Sequence, residues 1–202
     1  MVTTRDVCVI GLGYVGLPLA CAAAEAGHRV TGYDSDRARV DGLSQGRSPV
    51  EDVEDRWLEK VTATGRLSFT DDPADIQGSD TFVICVPTPL KEKSPDLTMV
   101  DSAVDVVATA LRPADMVILE STTYPGTTED RVAPRLAEAT GLRAPEDYHL
   151  VFSPERIDPG NPVYSLQNTP SVVGGLGPAA GDAATSFYSS FIDEVHRVSG
   201  PR

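Results

Sequence analysis

The sequence predicts an α/β fold, a doubly wound parallel sheet with helices on both faces. Three observations carry that expectation. Short apolar runs rich in β-branched residues recur along the chain, and stretches of helical pattern separate them. Strands spaced this way join through right-handed crossovers into a parallel sheet. The first apolar run also ends in a glycine-rich turn that opens a helix.

In order, Asp6 to Ile10 reads as a buried strand ended by glycine, and Tyr14 to Ala26 as an alanine- and leucine-rich helix stopped by Gly27. Arg29 to Tyr33 is the second strand. Asp36 to Leu43 and Glu51 to Thr64 read as helices, the latter closed by Gly65. Leu67 to Thr70 is a short strand, and a small helix follows near Pro73 to Ile76. Thr81 to Val86 is a strongly apolar strand cut off by Pro87 and Pro89. After a polar loop from Lys91 to Leu97, Val100, Val104, Val107 and Leu111 mark a helix over Val100 to Leu111. Met116 to Leu119 is a strand, Thr127 to Ala139 a helix before Gly141, and His149 to Phe152 a strand. Val172-Val173 (strand), Pro178 to Phe191 (helix) and Val195 to Val198 (strand) complete a single domain over residues 1–198. Residues 199–202 form no element of their own.

At 202 residues the chain can bury a full core without metal or disulfide staples. Seventeen Lys+Arg against 30 Asp+Glu give a net charge of −13. That balance repels phosphate backbones and anionic lipid, which argues against nucleic-acid and membrane-surface roles. An anionic ligand must therefore be held by backbone N–H groups and a few placed cations. Three cysteines without a C-x-x-C pair predict a reducing compartment, and three scattered histidines predict no metal site. The uncharged stretch from Val7 to Ala24, after Arg5 and with Ala-Cys-Ala-Ala-Ala near its end, imitates a signal peptide. Asp6 abuts it, and Gly11, Gly13, Gly16 and Pro18 interrupt it, so the expectation is a cytoplasmic chain.

Gly11-Leu12-Gly13-Tyr14-Val15-Gly16 follows a strand and opens a helix. Gly11 suits the tight turn, Gly13 lets a pyrophosphate approach the backbone, and Gly16 lets the helix pack close to the sheet. A glycine-rich turn of this kind also occurs for packing alone. Asp34, at the end of the second strand and 18 residues after Gly16, supplies the acid that a dinucleotide site places on the adenosine ribose. A carboxylate there repels a 2′-phosphate and favours NAD over NADP; Arg37 and Arg39 nearby leave NADP open. Pro87-Thr88-Pro89, Ser121-Thr122-Thr123 and Ser153-Pro154-Glu155 all follow predicted strands, where ligands of such sheets sit. Singly, these segments read as a stiff strand terminator, a hydroxyl cap for the helix near Thr127 and, with Arg156, a surface ion pair. Together they converge on one crevice.

Gly11 to Gly16, Asp34 with Arg39, Val86-Pro87-Thr88-Pro89, Glu120-Ser121-Thr122-Thr123 with Pro125-Gly126-Thr127-Thr128, and Ser153-Pro154-Glu155-Arg156-Ile157 with Pro159-Gly160-Asn161 stand in that order. Over nearly its whole length the chain thereby resembles the amino-terminal half of the UDP-glucose/GDP-mannose dehydrogenase family, the NAD-dependent nucleotide-sugar 6-dehydrogenases of polysaccharide and glycoconjugate synthesis. The resemblance implies oxidation of a sugar C6 alcohol to a carboxylate by two hydride transfers, the aldehyde being held by a cysteine as a thiohemiacetal, oxidised to a thioester and hydrolysed. It implies cofactor contacts at Gly11, Gly13, Tyr14, Val15, Gly16, Asp34, Arg39, Val86, Pro87, Thr88, Ser121 and Thr122. Thr122 also resembles a residue that orients the hydrolytic water, Glu155 one that assists hydrolysis as a base, and Arg156 and Ile157 residues that touch the sugar nucleotide. The Pro-Glu-Arg-Ile-Asp-Pro-Gly and Val-Pro-Thr-Pro-Leu segments resemble the UDP-N-acetylhexosamine (GlcNAc/ManNAc) branch, and Pro159 stands where the UDP-glucose branch has a second glutamate.

The family's catalytic lysine, asparagine and cysteine and its uridine-gripping C-terminal domain have no counterpart among these residues, and residues 199–202 read as the truncated start of its inter-domain helix. Cys8, Cys21 and Cys85 fall within predicted buried elements. The expectation is a chain that binds NAD but alone turns over no UDP-sugar, as a monomer cut from a homo-oligomeric enzyme. A free-standing non-catalytic NAD module, a UDP-glucose 6-dehydrogenase and the amino-terminal domain of a β-hydroxyacid dehydrogenase remain as alternatives.

Overall fold

Alternating residues of β1 (Asp6–Ile10) face opposite ways, and each face has its own helices. A computed structural model describes residues 3–91, 94–156, 161 and 163–202. Val7 and Val9 join one core with α1 (Gly16–Glu25), α2 (Arg37–Ser44), α3 (Asp55–Thr62) and α6 (Pro178–Tyr188). Cys8 and Ile10 join the other with α4 (Thr98–Ala108) and α5 (Ala133–Thr140). This period-2 division of a fully apolar strand is what burial on both faces demands.

The remaining strands of the main sheet are β2 (Arg29–Tyr33), β3 (Leu67–Thr70), β4 (Thr81–Ile84), β7 (Met116–Leu119), β8 (His149–Phe152), β9 (Ser171–Gly175) and β10 (Val195–Val198). They lie in the order β10-β9-β8-β7-β4-β1-β2-β3. From β1 the chain adds strands first on one side, β2 and β3, and then on the other, from β4 onward, and this switch opens a crevice beyond the carboxyl ends of β1 and β4.

Every ladder of the main sheet is parallel except β8 with β9, where Val151 pairs with Gly175 and Phe152 with Gly174. The predicted doubly wound parallel sheet is thus present, with the β9-β10 edge running antiparallel to the rest. The described part of the 153–170 connection contains no helix, and a return without a crossover reverses the strand. β4 ends at Ile84 rather than Val86, and the expected polar loop overlaps a short antiparallel ladder, β5 (Leu90–Lys91) with β6 (Ser94–Pro95). The helix expected from Thr127 begins instead as a π-helical turn over Thr128–Val132. Pro134, in the first turn of α5, has no N–H to donate back, and the ladder widens so that Ala133 N–H bonds Thr128 C=O. Pro201 is buried, and Arg202 forms ion pairs with Glu129 and Asp130. Among the described residues, no helix is long and apolar enough to cross a membrane.

Candidate functional site: a cleft at the strand ends

A cleft of about 640 Å³ opens at the crevice. Its volume lies within the range typical of small-molecule sites, about 300–1,000 Å³.

The glycine turn forms its floor. Gly11 has φ +91°, its N–H donates to Tyr33 O at 2.8 Å, and a Cβ there would lie 3.0 Å from Cys85 O. A Cβ on Gly13 would meet nothing within 4 Å, because the turn opens there onto the cleft. A Cβ on Gly16 would lie 1.9 Å from Gly11 O. Gly16 is buried and does not line the cleft; its task is to let the helix close against the turn. No side chain caps α1 and no acid stands in its first turn, so its positive end is left to a ligand. Tyr14, 56% exposed, and Val15 flank that end.

Asp34 stands at the mouth beyond β2. Its Oδ2 accepts from Leu12 N–H at 2.8 Å and its Oδ1 from Asp36 N–H at 3.0 Å. Arg39 lies against it, Nε to Oδ2 at 3.4 Å, and donates through Nη1 to Leu12 O at 3.1 Å. The acid and the base therefore hold both polar groups of Leu12, and they fix the turn while facing the ligand space. Arg37 turns outward to Asp41 at 4.0 Å.

Two strand-end loops form the next wall. Val86, Pro87, Thr88, Ser121 and Thr122 all line the cleft. Ser121 is buried, its hydroxyl donating to Val86 O at 2.6 Å, and the Thr88 hydroxyl donates to Thr122 O at 2.6 Å. These bonds staple one loop to the other. The alternative role of Ser121 to Thr123 as a helix cap does not occur, since the turn at Thr128 has Thr127 at its N-cap and no side-chain cap. Thr122 is exposed.

Glu155 and Glu120 complete the wall. Glu120 is 5% exposed and accepts from the Tyr188 hydroxyl at 2.6 Å. Burial, then the neighbouring Glu155 carboxyl, push Glu120 up to about 8, against the opposing pull of the Tyr188 bond. Burial, then the Glu120 and Glu155 carboxyls, hold the Cys85 thiol well above its usual range. Burial alone raises Cys8, and burial with Glu25 pushes Cys21 up to about 12. All three are free, buried, protonated thiols.

Arg156 is exposed and borders a separate small cavity with Glu120 and Glu155 rather than the main cleft. Ile157, Pro159 and Gly160 lie outside the described residues. Sequence reasoning missed Leu12, Glu120 and the face of α4 carrying Met99, Ser102 and Val106, which also lines the cleft. An acid closing an apolar run was the signal for Glu120; for α4 the periodicity marked only the core face. Among the described residues, no group of three His, Cys, Asp or Glu could hold a metal ion.

The floor, the uncapped helix and the acid at the β2 end fit a dinucleotide: room at Gly13, amides for a pyrophosphate, a carboxylate for a ribose. Residues 5–192 match the NAD binding domain of the UDP-glucose/GDP-mannose dehydrogenase family. A UDP-N-acetyl-D-mannosamine dehydrogenase of Pyrococcus horikoshii is 38% identical over 187 residues, covering 92% of this chain and 44% of the relative. A UDP-N-acetyl-D-glucosamine 6-dehydrogenase of Pseudomonas aeruginosa is 39% identical over 195 residues, 96% of this chain and 45% of the relative. The solved structure of the UDP-D-ManNAc dehydrogenase from Pyrococcus horikoshii superposes with a TM-score of 0.92 at 35% identity, over 97% of this chain and 47% of that one. The chain thus spans about half the length of the curated relatives it matches.

Proposed function

This chain belongs to the UDP-glucose/GDP-mannose dehydrogenase family as its NAD-binding domain, and on that premise we propose that it is the cofactor half of an enzyme oxidising the C6 alcohol of a UDP-N-acetylhexosamine to the uronate. The observation that carries the cofactor half is the open floor at Gly13 beneath an uncapped helix, with Asp34 at one end. The names of the two relatives carry the substrate class. Bound NAD⁺ would supply the hydride acceptor.

The chain's own residues bind and orient. The amides after Gly11 take the pyrophosphate, with Tyr14 and Val15 at its flank. Asp34 takes the adenosine ribose hydroxyls. Arg39 is already paired with that carboxylate, so it neutralises Asp34 more than it invites a 2′-phosphate, and NAD is preferred to NADP. Val86, Pro87, Thr88 and Ser121 shape the slot beyond. Thr122, exposed at the cleft, and Glu155 act at the reacting end, Glu155 as a base for water. Arg156 and Ile157 meet the sugar nucleotide. A nucleophile needs exposure and an activated thiolate, which the three buried thiols lack, so the chain alone binds NAD⁺ without turnover.

Calorimetric titration tests this reading. NAD⁺ should bind the wild type more tightly than NADP⁺, and Asp34→Ala should weaken NAD⁺ by roughly tenfold or more, the loss of a charge-assisted hydrogen-bond pair. Unchanged affinity would remove the ribose assignment, and NADH formation from any UDP-hexose by this chain alone would remove the claim of silence.

A further inference from the structure

The cleft carries acids at both ends, and they are different in kind. Asp34, after β2, is tied to Arg39 and to backbone N–H groups. Glu120, after β7, lies three strand spacings away across the sheet, about 14 Å. Its surroundings, element by element, are the Tyr188 hydroxyl of α6, the Cys85 thiol after β4 and the Glu155 carboxyl after β8. The tyrosine hydroxyl and the thiol are both neutral groups held above their usual range. Arg39, the only cation among the described residues lining the cleft, stands at the Asp34 end. Arg156 is exposed and borders only the small cavity behind the two glutamates.

We propose that Glu120 is a specificity-determining residue of this cleft, which with Glu155 forms an acidic wall at the end away from Asp34 and selects the oxidised dinucleotide, whose nicotinamide ring is cationic, over the reduced one. The inference rests on the NAD reading above. With the adenosine ribose at Asp34, the nicotinamide half extends toward β7. Oxidised and reduced forms differ there by one positive charge. That charge favours ionised Glu120, so NAD⁺ binding drives the Glu120 proton into solvent, whereas NADH leaves it in place. Burial and Glu155 hold Glu120 up to about 8, which puts this exchange in the neutral to alkaline range. Reduction of the cofactor removes the attracting charge and weakens its hold on the wall, which favours release of the reduced form.

The test is calorimetry of NAD⁺ and NADH on the chain between pH 6 and pH 9, in buffers of different ionisation enthalpy. For wild type, the affinity ratio of NAD⁺ to NADH should rise roughly tenfold across that range, with net proton release on NAD⁺ binding only. Glu120→Gln, which keeps an acceptor for Tyr188, should flatten the ratio and abolish the proton release. Glu155→Gln, at a half-buried position, should move the midpoint to lower pH by removing one cause of the upward shift. That second variant keeps the test decisive if circular dichroism finds Glu120→Gln unfolded. A wild-type ratio independent of pH, a Glu120→Gln variant that keeps the slope, or an unmoved midpoint in Glu155→Gln overturns the proposal while leaving NAD binding intact. Binding of neither nucleotide overturns both.

Discussion

Gly13 and Gly16 lie three residues apart in one turn, yet a methyl group would act on them in opposite ways. At Gly13 the added carbon enters empty space, so Gly13→Ala should leave the unfolding free energy from urea denaturation within about 0.5 kcal/mol of wild type while reducing NAD⁺ affinity tenfold or more. At Gly16 it collides with Gly11 O at 1.9 Å, backbone that cannot rotate away, so Gly16→Ala should cost about 2 kcal/mol or more of stability. A Gly13→Ala chain that binds NAD⁺ normally would show that no ligand uses the floor. The glycines were legible in the sequence because each task leaves its own spacing. Asp34 was legible as an acid at the end of β2, but its grip on Leu12 was not, since a backbone N–H carries no sequence signal. Glu120 went unread because one acid after an apolar strand looks like a loop residue until the partner that buries it, Tyr188, is brought from 68 residues away.

Among elements, α6 matters most for the site, since it delivers Tyr188 to the end of β7. The Tyr188 ring packs edge-on to Phe187 and near Phe191, so its hydroxyl is held in an apolar setting where a lost hydrogen bond is felt in full. Tyr188→Phe keeps the ring and removes the donor. It should cost about 1–3 kcal/mol by urea denaturation, more above pH 8 than below, because the bond favours the ionised carboxylate. A cost that does not grow with pH would mean Glu120 gains nothing from the tyrosine when charged. Element type followed from the sequence because period-2 and period-3.6 patterns are set by burial within each segment. Direction did not follow for β9: Ser171–Gly175 reads the same whichever way it runs, and it is decided by a connection with no helix among its described residues. The π-helical turn was equally hidden, since Pro134 is compatible with an ordinary first turn.

Taken whole, the molecule carries buried titrating groups that pull its stability in opposite directions, His28 one way and Glu120, joined by Asp115, the other. His28 is 1% exposed and joins the start of β1 to the end of α6. Its Nδ1 accepts from Arg5 N–H at 3.1 Å, which leaves the proton on Nε2 to donate to Ser190 Oγ at 2.9 Å. Burial, helped by the Arg5 guanidinium and opposed by Asp80, holds its pKa below the usual 6.5. The unfolded chain therefore takes up a proton that the native one refuses, and stability is lost as pH falls below 6.5. Glu120 acts the other way. Its native pKa of about 8 lies above the usual 4.5, so its contribution is whole below 4.5 and is lost as pH rises toward 8. Between 4.5 and 6.5 the His28 and Glu120 slopes oppose each other, and above 6.5 the His28 slope is gone while that of Glu120 continues toward 8. Thermal melts of wild type and Glu120→Gln should consequently converge near pH 4.5 and separate toward pH 8, with the variant the more stable at the alkaline end. The advantage of wild type over His28→Gln should shrink as pH falls below 6.5. Parallel melting curves for wild type and Glu120→Gln across the whole range would mean that Glu120 titrates alike in the folded and unfolded chain, and its burial beside Glu155 would then hold no proton.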